Sequence, residues 1–75
     1  MMKNKEYYKN IVLNYLENEF TAQFYKETDA YIVFVCRRID KDLTPDTMIV
    51  AVNKSNDKCG ASVHSDKNAI SACLK

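Results

Sequence analysis

The stretch Tyr31-Ile32-Val33-Phe34-Val35-Cys36 constrains this chain more than any other. It is rich in the β-branched and aromatic residues that strands favour, and no polar residue interrupts it. A strand wetted on one side alternates apolar with polar residues. An unbroken run belongs to a strand covered on both faces or set in the middle of its sheet. The chain is therefore expected to build a small sheet around a central strand running to about residue 39, with Arg37 and Arg38 near its end.

The 75 residues leave room for one domain and too little chain for a large core. Apolar residues at 47%, charged residues at 28% and a single Gly and Pro make this a folding composition, not a disordered one. A core of this size is marginal, so homodimer formation is expected. Three cysteines are an odd number, and Cys36 lies inside the apolar run, which points to reduced thiols and a cytoplasmic location. The longest apolar run is far too short for a membrane span, and the N-terminus lacks the apolar block of a signal peptide.

Around the central strand the pattern is legible. Tyr8, Ile11, Val12, Tyr15 and Leu16 recur at helical spacing and predict an amphipathic helix over 5–19. Residues 21–27 alternate loosely, with Ala22 and Phe24 on one side and Gln23 and Tyr25 on the other; Thr28-Asp29 then joins this strand to the central one as a hairpin. Pro45 breaks the polar loop 41–46, and residues 47–52 form a third strand. Residues 53–64 are polar, contain the only Gly and read as a loop, with room for a frayed strand extension. Ser65 as N-cap and Asp66 in the first turn open a last helix with Ala69, Ile70, Cys73 and Leu74 on its apolar face. The expected fold is α+β, in the order α-β-β-β-α, with a three-stranded antiparallel sheet and both helices packed on one face.

Motifs for chemistry are sparse. Cys59, His64 and Cys73 lack the close ligand pairs of structural zinc, and nothing orients His64 as a base for Cys59. Asp40, Asp42 and Asp46 share a loop with Lys41 but have neither the spacing nor the glycine of an EF-hand. A chain with one glycine supplies no phosphate loop, dinucleotide fingerprint or nucleophile elbow. The sequence therefore reads as non-catalytic, with no metal or cofactor.

Formal net charge is only +1, yet the charge is uneven. Lys54, Lys58 and Lys67 gather towards the C-terminal end, and Arg37, Arg38 and Lys41 extend the central strand. These six are the candidate nucleic-acid contacts. If Ile32, Phe34 and Cys36 face the helices, then Tyr31, Val33 and Val35 face the other way, with Tyr25 beside them. Those four are the candidate partner or dimer interface, since exposed apolar residues need an occupant.

The α-β-β-β-α order and the residues Gly60, Ser62, Lys67, Ala69, Ala72 and Leu74 resemble the double-stranded RNA-binding domain. The likeness covers Gly60 to Leu74 and has Asp66 where that family carries a lysine. It implies that Lys54, Lys58 and Lys67 contact a phosphate backbone. Nine lysines, two arginines, seven asparagines and five tyrosines give a composition similar to accessory products of T-even-type phages. That group includes inhibitors of host toxin–antitoxin and CRISPR systems. The two readings carried forward are an RNA-binding inhibitor of a host RNA-handling system and a protein-binding inhibitor that uses the open sheet face without nucleic acid.

Overall fold

Local chemistry sets the ends of each element. Asn4 caps the first helix, its side chain accepting from the Tyr7 amide at 2.9 Å. The helix stops at Leu16, because Glu17 and Asn18 take left-handed backbone (φ 57° and 61°) and the Asn18 amide turns back to the Leu13 carbonyl. It is therefore shorter than its apolar stripe suggests. Ser65 caps the second helix through the Asn68 amide at 3.2 Å, with Asp66 in the first turn.

Between these caps the computed structural model, which describes residues 4–39 and 47–74, gives the order α1 (Lys5–Tyr15), β1 (Phe20–Glu27), β2 (Tyr31–Arg38), β3 (Thr47–Asn53), β4 (Lys58–Ser62) and α2 (Asp66–Cys73). The expectations that rest on the loop around Pro45, including Lys41 and the three aspartates, lie outside the described residues. The strands form one antiparallel meander, β1-β2-β3-β4. The fold class is α+β, with four strands where three were expected.

The extra strand comes from the segment read as a loop. Asn53 accepts the Asp57 amide at 2.7 Å and its side chain takes the Ser55 amide, while the Asn56 side chain takes the Lys58 amide. Asp57 supplies the one left-handed residue this tight reversal needs (φ 60°). The turn returns the chain alongside β3 in register Asn53↔Lys58 to Ile49↔Ser62.

The helices lie on opposite faces, not on one. Ile32, Phe34 and Cys36 of β2 join Val50 and Val52 of β3 beneath Tyr8 and Val12 of α1, with Phe20 at the margin. Val33 of β2 and Ala51 of β3 pack on the other side against Ala69 and Cys73 of α2. The physical reason is already present in β2. Its apolar residues occupy both parities, and a strand buried on both sides needs a cover on each.

The two covers are built differently. Under α1 the filling is large and aromatic, with Phe24 and Phe34 edge-to-face at 6.4 Å between centroids. Under α2 it is small. Gly60 of β4 lies directly beneath the helix, where a Cβ would stand 2.2 Å from the Cys73 nitrogen and 2.5 Å from the Ala69 carbonyl oxygen. Only a residue without a side chain permits that approach.

Candidate partner-binding surface

α2 rests on β4 and β3 and only brushes β2. Among the described residues the β1 half of its face therefore stays uncovered. Thr21 and Gln23 of β1 are exposed there, as is Arg37 of β2, and Val35 is half-buried. The ion pair between Lys26 of β1 and Asp66 of α2 spans this half. Each partner stabilises the charge of the other: the hydrogen bond from Lys26 holds the Asp66 carboxyl below its ordinary value and raises the Lys26 ammonium.

Of the four residues expected at an interface, the structure separates one from the rest. Val33 is 1% exposed, because α2 lies over it, and is withdrawn from any docking surface. Tyr31 is half-buried at the edge of the α2 cluster, and Val35 is half-buried in the open half. Tyr25 is 53% exposed. It is the extra residue of a β-bulge: the ladder passes from Phe24↔Phe34 to Lys26↔Val33, so Tyr25 has no partner in register. The bulge also ends the simple alternation read from the sequence, since Lys26 and not Tyr25 follows Gln23 on the α2 face.

Phe24 was not singled out by the sequence and is 40% exposed on the α1 face, with the Lys5 ammonium 4.0 Å from its ring centre. A phenylalanine in an alternating strand reads as core. Only its position on an edge strand exposes it.

The basic candidates do not converge. Arg37 and Arg38 are successive strand residues and point to opposite faces. The Arg38 guanidinium lies 5.2 Å from the Phe20 ring. Lys54 is in the β3–β4 turn, ion-paired with Glu27. That turn adjoins Asn53, which pairs with Tyr31, so Lys54 and Arg37 are about 20 Å apart along the sheet. Lys58, at the start of β4, and Lys67, in the first turn of α2, are both exposed.

The thiols are held in their protonated form. Burial pushes Cys36 up to about 11. Burial, then the neighbouring Cys73 and Asp57, push Cys59 up to about 11. Burial also raises Cys73, whose Sγ donates to the Ile70 carbonyl at 3.1 Å. All three stay protonated near neutral pH, and the thiolate is the reactive form. His64 is exposed beyond β4, while Cys59 packs into the α1 face. Among the described residues no group of three His, Cys, Asp or Glu side chains could hold a metal ion, and no helix is long and apolar enough to cross a membrane. A depression of about 450 Å³ lies at the turn end of the sheet between Tyr31, Lys54 and Leu74.

No protein family, curated protein or solved structure matches this chain.

Proposed function

We propose that this chain is a non-catalytic binding module that recognises a protein partner through the uncovered half of the α2 face. The observation that carries this reading is the lateral offset of α2, which covers β3 and β4 and, among the described residues, reaches β1 only through the Lys26–Asp66 pair. Val35 gives that surface an apolar centre, Tyr31 an aromatic margin, and Arg37 a residue type that anchors protein interfaces. In the setting implied by the phage-like composition, such a module inhibits a host defence component in the cytoplasm by occupying one of its surfaces.

The second reading, an RNA-binding inhibitor, draws on exposed Lys58 and Lys67 and on the capped start of α2. The scatter of the other cations over both faces favours the protein partner. Affinity capture from bacterial lysate, with and without ribonuclease, decides between them. Under the protein reading the captured partner survives ribonuclease and is lost with Arg37→Glu and Val35→Asp. Capture lost on ribonuclease treatment, or abolished by Lys58→Glu with Lys67→Glu, overturns it.

A further inference from the structure

The outer edge of β1 carries a pattern that is complementary to itself. Among the described residues β1 pairs with β2 on one side only. The Ile39 amide donates to the Glu19 carbonyl at 3.0 Å, which extends the ladder by one position. In an antiparallel ladder the backbone groups alternate sides. Those of Glu19, Thr21 and Gln23 thus turn towards β2, and those of Phe20, Ala22 and Phe24 turn outwards. Because the bulge skips Tyr25, Lys26 occupies the next ladder position after Phe24. Along the edge the sequence of positions is therefore Glu, Phe, Thr, Ala, Gln, Phe, Lys.

Reversed and laid against itself about Ala22, this series matches at every position. Glu19 meets the partner's Lys26, Phe20 meets the partner's Phe24, Thr21 meets the partner's Gln23, and Ala22 meets its own copy. Opposite charges, aromatic pairs and hydrogen-bonding polar pairs are the combinations that stabilise neighbouring strands. The parity agrees as well. The outward-turned residues Phe20, Ala22 and Phe24 face the partner's Phe24, Ala22 and Phe20, so each facing pair can exchange two N–H···O bonds. Phe24, 40% exposed in the single chain, gains cover.

We infer that the chain forms a two-fold dimer by antiparallel pairing of β1 with β1 of a second copy, with the axis at Ala22. An axis perpendicular to the sheet keeps both α2 helices on the same side. The open half-faces of the two copies then join into one trough floored by β1 and β2 and walled by the two helices. The pairing closes at two copies, because the two-fold uses up the β1 edge of each copy and the opposite edge, β4, spans only Lys58–Ser62 and has α2 packed over it. This inference does not depend on what the open half-face binds.

Sedimentation equilibrium from about 1 µM to about 100 µM protein is expected to pass from monomer to dimer. Over the same range, amide exchange at Phe20, Ala22 and Phe24 is expected to slow, with Thr21 and Gln23 unchanged. Glu19→Lys, at an exposed position outside the core, is expected to weaken the dimer about tenfold by placing like charges opposite each other twice. A monomer throughout the range overturns the inference. So does a dimer whose Phe20, Ala22 and Phe24 amides exchange at the monomer rate, or one indifferent to Glu19→Lys.

Discussion

The two faces of the sheet solve the same problem with opposite materials. On the α1 face, bulky side chains from α1, β1, β2 and β3 fill the space between helix and sheet. On the α2 face there is almost no space to fill, since the helix backbone sits on Gly60 with Ala51, Ala69 and Cys73 around it. Volume holds the first cover and proximity holds the second. The first is sensitive to removal of atoms, the second to their addition.

Substitutions of opposite kinds should separate the faces. Phe34→Ala removes the largest fully buried side chain and leaves a cavity on the α1 face. A loss of about 4 kcal/mol is expected in urea unfolding, enough to threaten a domain this small. Gly60→Ala adds a single methyl group where the α2 backbone stands, and is expected to cost about 3 kcal/mol. Its signature should be local: amide protection lost in α2 and kept in β2 and α1. Global unfolding with uniform loss of protection would show that the faces are not separable.

Thiol accessibility sharpens the same contrast. In the native protein, iodoacetamide at mildly alkaline pH is expected to react slowly with Cys36 and Cys59, whose thiols are held at about 11, and with Cys73. In Gly60→Ala, Cys73 is expected to react first while Cys36, beneath α1, stays protected. Equal labelling of the two would contradict separate covers.

Smaller effects come from the ties at the helix ends. Tyr7 donates to Asp57, linking α1 to the β3–β4 turn, and Tyr7→Phe is expected to cost about 1 kcal/mol in thermal unfolding. The Lys26–Asp66 pair holds the start of α2 to β1 and should give the smallest effect, reduced further by salt. Its pH dependence has two limbs. Asp66 is depressed below 3.8, so its contribution is complete above that value and lost as pH falls through the folded-state value. Lys26 is raised above 10.5, so its contribution is complete below that value and lost as pH rises beyond it. NMR shifts of the Asp66 and Lys67 amides should be flat between the two limits.

Much of this arrangement is visible in the residues. The stripe Tyr8, Ile11, Val12 and Leu16, the central strand and the Ser65 cap appear where their periodicity and chemistry place them, whereas Tyr15, expected on the same stripe, is 49% exposed. β4 was not legible, because Lys-Cys-Gly-Ala-Ser has none of the branched or aromatic residues that mark strands. Its composition answers to α2 pressing on it, a tertiary demand that local propensity does not carry. The placement of the helices on a single face, as expected from the sequence, is contradicted by the structure. The unbroken apolar run at β2 signals cover on both sides, yet nothing in the sequence assigns a given helix to a given side. The surface candidates fared unevenly for a similar reason: strand alternation placed Tyr31, Val33 and Val35 on one face, but the lateral position of α2 decided that Val33 alone is sealed.

The place of α2 after the whole sheet in the chain has a consequence for biosynthesis. As the polypeptide leaves the ribosome, α1 can settle on its face while Val33 and Ala51 still await their cover. At about 5–20 residues per second, the nascent sheet shows that bare side for a second or more. A mutation that slows the docking of α2 would lengthen this interval and invite capture by chaperones, even where the finished protein unfolds normally.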